Sequence, residues 1–261
     1  MDLFAFEPAT FLSFVLTFMR VSLVLFLLPF FGGETIPVQV KAAVCIVLTV
    51  AIWPNLASIP GGAFPGHPFS IGLMLLGELI LGLGLGLMVQ FIFAGIQLGG
   101  QIIGFQMGFS MLSIGDPLSN QQIIVTSFLA NMVAMAVFLA LNGHLYLLSA
   151  LMGSFTLVGP GELLVTPQAM SDMVALSANM FVLALKVAGP VIACLFMVEL
   201  ALALMARTAP QMNLLVLGFP IKIAVGFMFM GIMFSLIGLY LDETVNGLGP
   251  MFNNFMRSVT P

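Results

Sequence analysis

The sequence predicts an all-α membrane protein of about six long, apolar, kinked helices. Three observations carry that prediction. Hydrophobic residues make up 61% of the 261 positions and charged residues only 6%, against about 45–50% and about 25% in soluble domains. The apolar residues are gathered into continuous runs of the roughly 20 residues that a bilayer core demands. Clusters of glycine and proline separate those runs. Six Lys/Arg and ten Asp/Glu cannot build a water-soluble surface on a chain of this length. A soluble enzyme, a soluble binding module and a disordered chain are therefore excluded.

The runs lie at about 10–31, 38–58, 70–97, 123–152, 174–206 and 213–241. They do not alternate apolar and polar with period two, so barrel strands are excluded. The acidic start, Met1 to Pro8, lacks the basic region of a cleavable signal, and the first run reads as an uncleaved span. Gly32, Gly33 and Pro37 end the first run. Pro54, Pro60, Gly61, Gly62, Pro65, Gly66 and Pro68 fill the second joint. Pro160, Gly161 and Pro167 mark the fourth, and Ala209-Pro210-Gln211 the fifth. Each fixes φ or permits an unusual one, so a helix stops there. Pro190 and Pro220 lie inside the last two runs and predict kinks.

The third joint, Leu98 to Gln122, is too polar for a lipid-facing span and too apolar for a solvated loop. Irregular backbone at membrane depth survives only inside protein or along a cavity, so this joint is the first place to look for function. Within it Phe105, Met107, Phe109 and Met111 alternate. Methionine is flexible and seals irregular surfaces, and such a ring could block ions yet yield to a passing chain. Small residues recur every fourth position at Gly82–Gly86, Gly95–Gly99, Gly100–Gly104 and Gly104–Gly108. That spacing predicts close helix approach.

Five ionisable residues fall inside apolar runs: Arg20, Glu78, Lys186, Glu199 and Lys222. Each costs a few kcal/mol at a helix centre and must face protein or water. Two acids among three bases point to pairing, within the chain or between subunits, rather than to a proton relay. Lys41 and Arg207 place the first and fifth joints, and with them the third, on the cytoplasmic side, although Arg257 opposes that orientation. His67 and His144 lack ligand-spaced partners, and Cys45 and Cys194 read as buried thiols, so neither a metal site nor a disulfide is expected. No phosphate-binding loop and no basic patch is present, so no nucleotide cofactor and no nucleic-acid partner is expected.

The motifs RVSLVLFLLPFFGGETIPVQVKAAV, GELILGLGLG, AGIQLGGQIIGFQMGFS followed by Asp116-Pro117, NGHLYLLSALMGSF and ARTAPQMNLLVLGFPIKIAVG stand in order along the chain. Together they resemble the FliR family of flagellar export-gate proteins, from about residue 10 to 245. They also resemble the equivalent export-apparatus subunit of type III secretion injectisomes. The resemblance implies no enzymatic activity. It implies a core complex with FliP and FliQ, wrapped by FlhB, through which unfolded flagellar subunits pass, in the bacterial inner membrane at the flagellar basal body. It implies a FliP-like part at 1–173 followed by a FliQ-like helical hairpin and tail at 174–261, turning around Arg207 and Pro210. It assigns a pore plug to the joint at about 98–122, with Phe105, Met107, Phe109 and Met111 as its candidates. It also implies that the core complex sits largely above the bilayer plane, so that the apolar spans are buried in protein rather than in lipid. The rival reading is a small-solute transporter or ion channel, against which stands the lack of an internal repeat.

Overall fold

The computed structural model describes residues 8–33, 36–56, 67–109, 125–161, 166–209 and 214–259. These residues are all-α, with no strand among them. The helices are α1 (Pro8–Leu27), α2 (Pro29–Gly32), α3 (Val38–Leu56), α4 (Pro68–Met107), α5 (Val125–Ala140), α6 (Gly143–Leu157), α7 (Pro167–Thr208) and α8 (Leu214–Val259).

Four of them, α1, α4, α7 and α8, are long and apolar enough to cross a membrane, and a fifth crossing arises if α5 and α6 count as one broken span. The expected six are thus reduced for two reasons. The apolar part of α3, Val38–Pro54, would rise only about 25 Å at 1.5 Å per residue, short of a hydrocarbon core of about 30 Å. The run expected at 123–152 is interrupted at Asn142, whose φ of 56° is left-handed. Asparagine is one of the few side chains that adopts this region readily. By contrast α4, α7 and α8, of 40, 42 and 46 residues, would extend about 60–70 Å. Pro190 lies inside α7 and Pro220 inside α8.

The residues pack as two compact units that are not consecutive along the chain. The first comprises Met1–Gln90, Asn142–Leu176 and Asn246–Pro261, and the second Phe91–Leu141 and Ser177–Val245. In the first, Leu16, Val21 and Val24 of α1, Leu81 and Leu85 of α4, and Leu147, Leu151 and Phe155 of α6 are buried. The end of α8 closes the same core with Phe252, Phe255, Met256 and Val259. The Thr166 hydroxyl donates to Ser258 O and accepts from Ala169 N–H, joining the cap of α7 to the last turn of α8. Trp53 of α3 donates to Ser13 Oγ at 3.3 Å and meets Phe14 edge-on, fixing α3 against α1.

In the second unit Phe93, Ile96 and Ile103 of α4, Ala130, Ala134 and Phe138 of α5, and Ala184, Val187 and Val191 of α7 are buried, and the Phe93 and Phe138 rings meet edge-on at 5.3 Å. Here the glycine row has its effect. A methyl on Gly95 would stand 2.8 Å from Met180 O, one on Gly99 3.0 Å from Ala184 O, and one on Gly100 2.7 Å from Ser127 Cα. The obstacles are backbone atoms, which cannot swing aside. Gly82 and Gly86, in the first unit, face Leu23 and Leu27 side chains at 2.8 and 2.5 Å. Gly104 is buried. Between the close-packed backbones, Thr126 Oγ1 donates to Gly100 O at 2.7 Å and Gln97 donates to Asn131 Oδ1 at 2.9 Å.

Two substitutions separate packing from propensity. Gly100→Ala should destabilise the protein by about 1–3 kcal/mol through overpacking. Gly231→Ala, where nothing lies within 4 Å, should be neutral or stabilising by up to about 1 kcal/mol. Thermal unfolding of the detergent-solubilised protein distinguishes the two, and equal melting shifts would contradict the close-approach account.

Candidate functional site at the end of α4

The expected irregular joint begins later than its composition suggests. Residues 98–107 continue α4, because the glycines there meet neighbouring backbones and tertiary packing outweighs their low helix propensity. The helix then stops at a defined cap. Gly108 has φ +92, a left-handed conformation that glycine adopts without steric cost. Its N–H donates to Phe105 O at 3.0 Å, and Phe109 N–H donates to Gly104 O at 3.1 Å. These two bonds form the Schellman pattern, which satisfies carbonyls left open by the helix end.

The cap is seated on α7 and α8. Met107 is fully buried, and a methyl on Gly226 would lie 2.6 Å from its Sδ. A methyl on Gly108 would lie 2.5 Å from Phe219 Cε1. The Phe109 ring meets Phe227 at a tilt of 70° with centroids 6.3 Å apart. Gln106 adds a polar contact, its amide donating to Glu199 Oε2 at 3.0 Å. Glu199 Oε1 takes the ammonium of Lys222. One carboxylate thus joins α4, α7 and α8.

The four alternating residues do not share a face. Alternation presents one side only on an extended chain, whereas on a helix positions two apart diverge by about 200° at 3.6 residues per turn. Phe105 is accordingly 53% exposed while Met107 is buried. Phe109, past the cap, is half-buried, and Met111 lies outside the described residues.

The five internal charges take three different settings. Arg20 and Glu78, with no exposed side-chain surface, form a two-pronged pair: Nε to Oε2 at 2.6 Å and Nη2 to Oε1 at 2.9 Å. The guanidinium also donates to Ser154 Oγ, Val158 O and Gly159 O, so its five N–H groups are all used. Phe155 lies 4.3 Å from the guanidinium carbon. Glu78 Oε1 accepts a further bond, 2.8 Å, from the N–H of Gly161, whose φ of +87 turns it toward the carboxylate. The Glu199–Lys222 pair is open to solvent, with side chains 45% and 18% exposed. Lys186 is exposed and sits 5.5 Å from the centre of the Tyr240 ring. Arg207 occupies the last turn of α7, and Pro210 lies outside the described residues.

Gln106, Ser154, Phe219, Phe227 and Tyr240 were not expected at these sites. Gln106 carried a usable signal, because an amide inside an apolar helix needs a partner. The others are typical residues of apolar helices and carried none. Among the described residues no three His, Cys, Asp or Glu side chains gather to hold a metal.

Residues 11–248 match the profile of the bacterial export proteins, family 1. The chain is 32% identical to the flagellar biosynthetic protein FliR of Escherichia coli (strain K12), covering 82% of this chain and 81% of that one. It is 32% identical to the FliR of Bacillus subtilis (strain 168), covering 86% and 87%. The Yop proteins translocation protein T of Yersinia pestis is 28% identical over 72% of each.

The two ion pairs should respond differently to loss of their acid. Glu78→Ala leaves a buried guanidinium uncompensated and should cost about 3–5 kcal/mol. Glu199→Ala should cost less, about 1–2 kcal/mol, because it removes a partly exposed pair and one hydrogen bond to a charged group. Denaturant titration of the purified protein measures both, and a smaller loss at Glu78 than at Glu199 would contradict the assignment of the central charge network.

Proposed function

The chain belongs to the bacterial export proteins, family 1, and from that membership we propose that it is a structural, non-enzymatic subunit of the flagellar protein export gate. It assembles with FliP- and FliQ-like proteins into the pore through which unfolded flagellar subunits leave the cell, with an FlhB-like protein alongside, in the bacterial inner membrane at the basal body. The supporting observation is the match to the family over residues 11–248, together with relatives named for flagellar biosynthesis and for translocation. The Yersinia relative keeps the equivalent injectisome export-apparatus subunit as the alternative reading.

The geometry suits such a part. Residues 1–173 form the FliP-like portion and 174–261 the FliQ-like hairpin, with α7 and α8 on either side of its turn. Large apolar side chains remain exposed on those helices, among them Phe181, Leu185 and Leu204 of α7 and Met228 and Leu239 of α8. Exposed apolar surface on this scale marks contact with protein or lipid. Near the end of α4, Phe105 is the residue free to face the pore, while Met107 and Phe109 anchor the cap that carries it. Lys186, held only by an aromatic ring among the contacts described, is available to a carboxylate on a neighbouring subunit.

Co-expression with the FliP- and FliQ-like proteins of the same genome, followed by native mass spectrometry, tests the assignment. A discrete heteromeric complex containing this chain is expected. A chain that purifies alone, folded and partnerless, would instead favour small-solute transport. Within the complex, Phe105→Ala should preserve assembly and raise resting ion conductance. Met107→Ala should lower the yield of complex, because truncating a buried methionine costs about 2–5 kcal/mol. Unchanged conductance in the Phe105 variant would remove that residue from the barrier.

A further inference from the structure

We propose that Gln106, Glu199 and Lys222 form a releasable polar latch that holds the capped end of α4 in its closed position. Gln106 is a positioning residue for Phe105, and this inference rests on the pore reading of that segment. The Glu199 carboxylate has two oxygens and uses them on two elements: Lys222 of α8 on Oε1 and Gln106 of α4 on Oε2. The pair therefore joins the hairpin first and then presents its second oxygen to the end of α4. The neighbouring contacts, Met107 on Gly226, Gly108 on Phe219 and Phe109 on Phe227, are apolar and seat the cap by shape. The Gln106 hydrogen bond adds a directional contact, because an amide N–H bond weakens steeply away from linearity.

Exposure is what makes this contact releasable. Glu199 is 45% exposed, so water can replace the Gln106 amide without leaving a buried charge unpaired. The Arg20–Glu78 pair, at 0% exposure, has no such exchange available. Space for movement lies alongside. A cavity of about 300 Å³ is lined by Glu199, Leu202, Ala203, Gly218, Phe219 and Lys222. Phe219 is the ring beside Gly108, so one side chain borders both the cap and this cavity. A hydrogen bond to a charged group is strong enough to shift a closed-to-released ratio by about tenfold or more.

The test uses near-isosteric changes in the assembled complex, so that volume is held constant. Gln106→Glu places a second carboxylate against Glu199 and should release the latch. The double variant Gln106→Glu/Glu199→Gln restores one donor, one acceptor and the partner for Lys222. Two readouts are taken: resting ion conductance in planar bilayers, and disulfide formation between Phe109→Cys and Phe227→Cys in each background. The single variant should raise the conductance about tenfold and reduce the cross-link, and the double variant should reverse both, a rescue that a merely structural role would not produce. Should Gln106→Glu fail to assemble, Gln106→Met supplies the same comparison without added charge. An undiminished cross-link in the Gln106 variants overturns the latch. A diminished cross-link with unchanged conductance leaves the latch standing and overturns the pore reading of the segment instead.

Discussion

An arginine with no solvent-exposed surface lies at the centre of the first packing unit, and the rest of that unit is arranged around the need to satisfy it. The effective penalty for burying such an ion is several kcal/mol, which only good geometry offsets. Here the fork of the guanidinium meets both oxygens of Glu78. Its remaining N–H groups reach α6 and the turn that follows it. The carboxylate in turn fixes the Gly161 N–H. Residues from α1, α4, α6 and that turn are thereby held in one register, because a shift of any of them would leave a charge or a carbonyl without a partner. Apolar packing alone does not impose such a register, since similar hydrophobic surfaces slide past one another at little cost.

The second unit reaches definition by another route. Its helices approach until the backbones nearly touch at Gly95, Gly99 and Gly100, and hydrogen bonds such as Thr126 to Gly100 O cross directly between them. In an apolar environment there is little hydrophobic gain from helix association, so close van der Waals contact and a few polar bonds supply the specificity. Its ion pair is partly exposed and joins the hairpin to the end of α4. The two units thus place their charges in opposite settings, one sealed and one accessible.

The sequence carried the class of fold, the five internal charges and the small-residue row, because composition and four-residue spacing are local properties. It did not carry the partners of those charges: Arg20 and Glu78 are 58 residues apart, and no local pattern links them. It placed the end of the third helix about ten residues early. Glycine lowers helix propensity locally, but Gly99 and Gly100 meet backbone atoms of other helices, and that packing keeps residues 98–107 helical. The alternation of Phe105 with Met107 suggested an apolar ring, and the helix leaves one side chain exposed and the other buried. The break at Asn142 was hidden because Asn-Gly inside a long apolar stretch interrupts hydropathy too briefly to register. The Glu199–Gln106 bond joins residues 93 positions apart, and an amide in an apolar helix does not by itself name its partner.

The first unit is completed by the last turns of α8, where Phe252, Phe255, Met256 and Val259 are buried and Ser258 O receives the Thr166 hydroxyl. Order of synthesis then matters. When α1, α3 and α6 have already emerged from the ribosome, the residues that seal their core are still to be translated. The early helices must wait in the membrane with part of their inner surface uncovered, and Arg20 must find Glu78 before the lid over their core exists. Emergence of the last turns of α8, rather than insertion of any earlier helix, is the event that finishes this half of the molecule. Quality control that inspects the chain during translation would see an open core even in a molecule destined to fold correctly.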